Sequence, residues 1–313
     1  MLSKQTKGDL KSLVKGNLLF DEPMKKHTSF RIGGPADALF VPIDEDDLKN
    51  ILIFANENNV PINVIGNGTN LLVSDDGIAG IVIKMSDCFD SLIISGSTVI
   101  TGAGYTLSKL SRLVADYGLS GLEFAVGIPG TIGGAVVMNA GAHGSSMSNV
   151  VTKVKVMDIC GKVREMFKKD LKFEYRKSEL QKCNRIVLGA EMELIKDDTG
   201  DIKKKMSKYL QWRRENQPLD MPNAGSIFKN PKNDFAGRLI DIAGCKGMKI
   251  GDAQVSELKA NFIVNEANAT ASDVLKLMNV LQKIVLQKYN VRIVSEIKTM
   301  GRWVNLKEGS DEH

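Results

Sequence analysis

Histidine is scarce in this chain: His27, His143 and His313 are the only three among 313 residues. A Ser/His/Asp or Cys/His hydrolase pattern has little to draw on. Cysteine is nearly as rare. Cys88, Cys160, Cys183 and Cys245 lie far apart, with no C-x-x-C pair and no nearby histidine pair. That spacing argues against a metal site and against a disulfide framework, and for reduced thiols. No run approaches the ~18–20 apolar residues of a membrane-crossing helix, and no apolar N-terminal stretch precedes a small-residue cleavage site. A cytoplasmic protein without membrane insertion is expected. Also missing are a Walker A lysine, a G-x-S-x-G elbow, an internal repeat and a low-complexity tract. Charge is close to balanced: 42 Lys+Arg against 37 Asp+Glu leaves +5, too mild an excess to imply nucleic acid. The densest basic run, Lys203–Arg214, reads as a solvated helix face with Met206, Leu210 and Arg213 at i, i+4 and i+7.

Glycine, by contrast, is concentrated. Gly121 to Gly144 reads GLEFAVGIPGTIGGAVVMNAGAHG, and seven of its 24 residues are glycine. Such a stretch has few large side chains with which to build a core. It offers bare backbone instead, above all at Gly127, Gly130, Gly133 and Gly134, where a ligand can approach main-chain N–H groups. A tight corner between packed elements would explain one or two of these glycines. Four of them, with a second polar glycine loop at Gly66-Asn67-Gly68-Thr69-Asn70, point to an anionic or flat guest such as a dinucleotide pyrophosphate.

Periodicity supplies an outline around the two loops. Residues 1–22 read as a peripheral segment with a helix. Asp44 caps a helix to about Asn58 on which Leu48, Ile51, Leu52 and Ala55 share a face. Short strands follow at Ile62–Ile65, Leu71–Val73 and from Gly80. A second unit opens with strand Thr98–Thr101 and the turn Gly102-Ala103-Gly104, which lacks the third glycine of a Rossmann fingerprint. Next come a helix bearing Leu107, Leu110 and Val114 that stops at Gly118, and strands at Val151–Cys160 and Arg185–Leu194. Charged residues from Asp197 mark a boundary near residue 200. Thr270 to Asp273 has capping-box spacing ahead of an amphipathic helix, and Val291–Ile297 reads as a final strand.

Three polar residues invite a chemical reading, and each has a plain alternative. Arg176 follows Tyr175 in a short loop, where an isolated arginine is usually a surface cation. Ser226 follows Gly225, where serine is usually a turn residue. Glu296 interrupts the alternation of Ile293, Val294 and Ile297 and suits an exposed strand position. Residue chemistry alone therefore ends at an α/β protein that binds a large, partly anionic cofactor.

The motifs HTSFRIGGPAD, VIGNGTNLLVSDDGIAG, the glycine stretch, FEYRKSEL, QPLDMPNAGSIFKNP, ANFIVN and SEIKTMG occur in this order over residues 27–301. Together they resemble the UDP-N-acetylenolpyruvoylglucosamine reductase family, in the shorter form that lacks an extra tyrosine-bearing loop. The resemblance implies an α/β (α+β) fold: a two-part FAD-binding region of the vanillyl-alcohol-oxidase (PCMH-like) type plus a C-terminal α/β substrate-binding domain. It divides the chain into a segment 1–22, FAD subdomains 23–94 and 95–200, a substrate domain 201–303 and a tail 304–313. FAD would be held noncovalently by Gly66, Asn67, Gly68, Thr69, Asn70, Gly127, Pro129, Gly130, Thr131, Gly133 and Gly134. NADPH would reduce it and leave, and UDP-N-acetylglucosamine enolpyruvate would take its place. Arg176 matches the residue that stabilises the developing enolate, Ser226 the proton donor and Glu296 its assisting acid. Tyr175, Arg214, Lys229 and Asn230 fall where the family binds substrate. Lys259 departs from the histidine common before A-N-F-I-V-N. A monomer is favoured, with no nucleic-acid partner and no metal. Two other classes stay open: a flavin oxidase with covalent cofactor, for which His143 is the nearest anchor, and a non-catalytic nucleotide-binding protein.

Overall fold

The computed structural model describes residues 1–86 and 88–303, so the tail expected at 304–313 lies outside the described residues. Asn17–Pro23, Pro35–Val41, Ile78–Lys84 and Ile62–Ile65 form the first sheet in that order. Its first pair is antiparallel and the other two are parallel. A parallel link needs a crossover, and helix Glu45–Glu57 supplies one. Asp44 caps that helix by accepting from the Asp47 N–H, and Leu48, Ile51, Leu52 and Ala55 are buried as the spacing requires. Residues 1–22 do not stay peripheral throughout. Lys4–Leu13 is a helix whose Leu10 enters the core, and the strand from Asn17 crosses the expected boundary at residue 22.

Five antiparallel strands make the second sheet, in the order Val163–Phe167, Val151–Asp158, Arg185–Glu193, Thr98–Gly102 and Leu92–Ser95. Helices Leu107–Asp116 and Ile132–Val137 share its core through Leu107, Leu110, Ile132 and Val136. Leu92–Ser95 belongs to this sheet, and helix Thr199–Asn216 runs through residue 200, so the boundaries expected at 94 and 200 also fall inside elements.

A three-stranded sheet of Lys249–Ile250, Ala253–Val255 and Ile263–Asn265 packs with helices Ala236–Ile242 and Ala271–Tyr289. Thr270 and Asp273 form the expected capping box, and Val274, Leu277, Met278, Leu281 and Val285 are buried. Full burial of each large side chain contributes roughly 1.5–3 kcal/mol. Phe30 and Leu72 join this core, and Asp75 accepts from the N–H groups of Ala271 and Ser272 at 2.8 and 3.0 Å. The C-terminal unit is thereby docked on the first.

The strand expected over Val291–Ile297 is corrected. Ile293 and Ile297 are buried as alternation predicts, but their backbone neighbour is the loop before residue 231 rather than a sheet. Lys229 N–H donates to Val294 C=O at 2.8 Å and Glu296 N–H to Ile227 C=O at 2.7 Å. Regular pairing begins only at Lys298–Met300, parallel to Leu71–Val73.

Arg302 then closes the chain back on the first sheet. Its Nη2 donates to both carboxylate oxygens of Asp37 at 2.7 and 2.8 Å, and Gly80 N–H donates to Oδ2 at 3.1 Å. Burial pushes the Asp37 carboxyl up, but hydrogen bonds from Arg302 and Gly80 outweigh it and hold the group below its ordinary value. A depressed folded-state pKa stabilises the fold above the unfolded value, and that stability is lost as pH falls through the folded value. Arg302→Met is expected to cost about 3 kcal/mol at neutral pH in denaturant titrations. The gap from the parent should narrow in acid; a gap independent of pH would contradict the ion-pair account.

Candidate active site

The two glycine loops meet. Asn67 Nδ2 donates to Pro129 C=O at 2.7 Å, and a Cβ on Gly66 would lie 2.3 Å from Thr131 Oγ1, so only glycine lets the loops close. Gly68 has φ +64°, and a Cβ there would lie 2.0 Å from the His27 carbonyl oxygen. Among the described residues, no protein acceptor takes the N–H groups of Asn67, Gly68, Thr69, Gly130 or Thr131. Unpartnered amides on residues that line one cleft are what an anion needs. The cradle opens on a cleft of about 970 Å³ with apolar wall residues such as Val64, Ile65 and Ile128, large enough for a big cofactor. Gln217 lines the same cleft, and its Oε1 is buried without a partner. Gly134 is exposed toward solvent, with only Thr131 Oγ1 within van der Waals reach of a Cβ.

Two of the expected cofactor residues make further contacts. Gly133 donates its N–H to Ala103 C=O at 2.8 Å, and a Cβ would come 3.0 Å from Ala103 Cβ. It lines the cradle cleft and also packs the helix start against the turn that follows strand Thr98–Gly102. Gly127 lies outside this cleft and lines a second one, where a Cβ would meet the Arg213 side chain at 2.8 Å.

Arg176, Ser226 and Glu296 converge on the cleft from three elements. Arg176 sits in a two-residue turn closed by reciprocal bonds between Glu174 and Lys177 at 3.0 and 3.1 Å. Its φ of +55° is left-handed backbone that a side chain adopts at a cost of order 1 kcal/mol. Its Nε donates to Glu296 Oε1 at 2.6 Å, across 120 residues of sequence. The two side chains are 22% and 13% exposed, so the pair is shielded without being sealed. Burial pushes the Glu296 carboxyl up; Arg176 and Lys229 pull it down, and burial prevails.

Ser226 follows Gly225, at φ +77°, in a loop held from within. Asn223 accepts from Gly225 N–H at 2.9 Å and donates to Pro218 and Met221 carbonyls. Asn261 grips both backbone polar groups of Phe228 at 3.0 and 2.8 Å. The Glu296–Ile227 backbone bond places Ser226 and Glu296 on neighbouring segments.

A second cleft of about 720 Å³ adjoins the first, and Arg176, Arg213 and Ser226 line both. His143 stacks on Tyr209 with centroids 3.8 Å apart, and Trp212 meets His143 edge-on at 5.5 Å. Lys259 Nζ lies 5.6 Å from the Trp212 ring centroid. Burial, with the Arg213 charge, keeps the His143 imidazole below its ordinary pKa. His143 lines the second cleft, while its neighbours Gly141 and Ala142 line both.

The expected substrate residues divide. Asn230 lines the second cleft. Arg214, Tyr175 and Lys229 line neither, although the Arg176 guanidinium lies 5.2 Å from the Tyr175 ring centroid and Lys229 acts on Glu296 through its charge. Arg213, the neighbour of Arg214, lines both clefts. The spacing of Met206 and Arg213 does mark one helix face, but that face is packed: Ile202 and Met206 are buried against Ala115 and Val126. Tyr209, Trp212, Lys259, Lys298 and Gln181 also line the clefts. The helix spacing could have found the first two; only tertiary contact finds the rest.

Residues 36–166 match a family described as "FAD binding domain" and residues 217–300 one described as "UDP-N-acetylenolpyruvoylglucosamine reductase, C-terminal domain". The chain is 48% identical over 293 residues to the UDP-N-acetylenolpyruvoylglucosamine reductase of Caldanaerobacter subterraneus subsp. tengcongensis, covering 93% of this chain and 97% of that one. It is 46% identical to the same-named protein of Anoxybacillus flavithermus, covering 92% and 95%. The crystal structure of UDP-N-acetylenolpyruvylglucosamine reductase from Thermus caldophilus superposes with TM-score 0.79 at 34% identity, covering 91% of this chain and 99% of that one. Among the described residues no helix is long and apolar enough to cross a membrane, and no His/Cys/Asp/Glu cluster could hold a metal ion.

Proposed function

The chain belongs to the UDP-N-acetylenolpyruvoylglucosamine reductase family, and from that premise we propose how its own residues carry the reaction. The protein is an FAD-dependent oxidoreductase that reduces UDP-N-acetylglucosamine enolpyruvate, with NADPH as donor, in peptidoglycan precursor synthesis. When bound, FAD supplies hydride transfer from NADPH to the enolpyruvyl double bond. The amides of Asn67, Gly68, Thr69, Gly130 and Thr131 hold the cofactor's pyrophosphate. Arg176 stabilises the negative charge that develops beside the substrate carboxylate, and it does so best where water is partly excluded. Ser226 Oγ gives a proton to the neighbouring carbon. Glu296, whose carboxyl stands above its ordinary value, aims the Arg176 guanidinium and assists that proton transfer.

The observation that carries this reading is the Arg176–Glu296 contact at 2.6 Å, made where the two clefts join and beside Ser226. The second cleft suits the nucleotide: Arg213 and Lys259 bring positive charge for a diphosphate, and Tyr209 and Trp212 bring aromatic faces. NADPH consumption that depends on the enolpyruvyl nucleotide, followed by product mass, tests the reading. Rapid consumption that depends only on oxygen would favour an oxidase instead.

Lys259→Ala is expected to raise KM for the enolpyruvyl nucleotide about tenfold with kcat unchanged, the pattern of uniform binding. Added salt should shrink the difference, because a diphosphate contact near solvent is screened. A fall in kcat at constant KM would place Lys259 in the chemistry rather than in binding.

A further inference from the structure

Gln181 closes the short helical turn Glu179–Gln181 and lines the cradle cleft. Its Nε2 donates to Val137 C=O at 2.9 Å and to Arg176 C=O at 3.2 Å, while its Oε1 accepts from Lys298 Nζ at 3.3 Å. The opposite amide orientation would set oxygen against two carbonyls and NH₂ against an ammonium, so the network fixes this one.

Val137 is the last residue of the helix whose first turn is framed by Gly130 and Thr131. Ser178 Oγ also donates to the Val137 carbonyl, at 2.6 Å, and Asn139 Nδ2 donates to Glu174 C=O at 2.9 Å. The Arg176 turn therefore hangs by three side chains from the far end of the cradle helix. Of these three, Gln181 is the one bonded to the carbonyl of Arg176 itself and to Lys298, which is two residues from Glu296. Left-handed backbone at a non-glycine residue persists only where its surroundings over-determine it, and Gln181 supplies one of those constraints.

We propose that Gln181 is a positioning residue for substrate reduction: it registers the Arg176 turn against the cradle helix and Lys298, so that the guanidinium meets Glu296. The inference rests on the role given to Arg176 above. Misplacing a charge-stabilising group by about 1 Å costs on the order of 10²-fold, whereas hydride entry from NADPH develops no charge at the substrate carboxylate.

Purified flavoprotein variants are followed by stopped-flow flavin absorbance, once with NADPH and once, after reduction, with the enolpyruvyl nucleotide. Gln181→Leu should slow re-oxidation by roughly 10²-fold and leave reduction by NADPH within about twofold of the parent. Gln181→Glu keeps the size and a partner for Lys298 but has no donor for the two carbonyls, and it should slow re-oxidation similarly. In an Arg176→Ala background, Gln181→Leu should add almost nothing, since it acts through Arg176. Normal re-oxidation by either Gln181 variant, equal slowing of both half-reactions, or a fully additive loss on Arg176→Ala would overturn the proposal while leaving Arg176 in its role. Normal re-oxidation by Arg176→Ala alone would remove that role, and the proposal with it.

Discussion

Ser226→Ala is expected to remain yellow and to be bleached by NADPH at the parent rate, yet to be re-oxidised by the enolpyruvyl nucleotide ~10²–10⁴-fold more slowly. That loss corresponds to about 3–5 kcal/mol of barrier. A proton delivered to the substrate carbon has no part in the reduction by NADPH, so only the second half-reaction feels the missing hydroxyl. The loop should survive the change, because Asn223 and Asn261 hold it through its backbone, and alanine fits the space of serine. Ser226→Cys should recover part of the rate, since a thiol can also donate. A purely structural serine predicts both half-reactions altered alike or neither altered, and stopped-flow traces recorded separately with each substrate distinguish the two.

Gly134→Leu is expected to give a folded but colourless protein. Gly134 sits in the first turn of helix Ile132–Val137, is exposed at the cradle, and would present a Cβ to open space beyond Thr131 Oγ1. Leucine is the better helix former by roughly 0.5–1 kcal/mol, so the apoprotein should melt no lower than the parent apoprotein. The side chain would nevertheless occupy the space the cofactor needs, and flavin affinity should fall at least ~100-fold, about 2.7 kcal/mol. Gly133→Leu makes the contrast: it would drive side-chain atoms into Ala103 and should lower the melting temperature of the apoprotein. Full flavin content in Gly134→Leu would place the cofactor elsewhere.

Much of this was legible in the sequence, and the reasons differ by element. Helices Glu45–Glu57 and Ala271–Tyr289 follow from apolar spacing and caps that act within a few residues. The two glycine loops were legible as bare backbone, and Gly66 and Gly68 are glycine for the close approaches that the loops make. Nothing local separates Gly133 from Gly134: both line the cleft, but Gly133 is buried against Ala103 and Gly134 is exposed. Arg213 and Arg214 are adjacent, and only packing of the helix through Ile202 and Met206 turns one toward the clefts. Val291–Ile297 has strand alternation, yet its partner is a loop, which no local pattern reports. Arg176, Ser226 and Glu296 stand out only through the family resemblance; each alone reads as an ordinary surface or turn residue. Their convergence comes from long-range contacts such as the Arg176–Glu296 bond.

The central claim is that one cleft takes hydride from NADPH and delivers it, with a proton, to an enolpyruvyl nucleotide. The direct measurement is an anaerobic titration of the purified flavoprotein. One equivalent of NADPH should bleach the yellow absorbance, one equivalent of UDP-N-acetylglucosamine enolpyruvate should restore it, and UDP-N-acetylmuramate should appear in equal amount. Acid precipitation should then leave all the flavin in solution. A protein that stays bleached after the nucleotide is added, or a pellet that keeps its colour, contradicts the account.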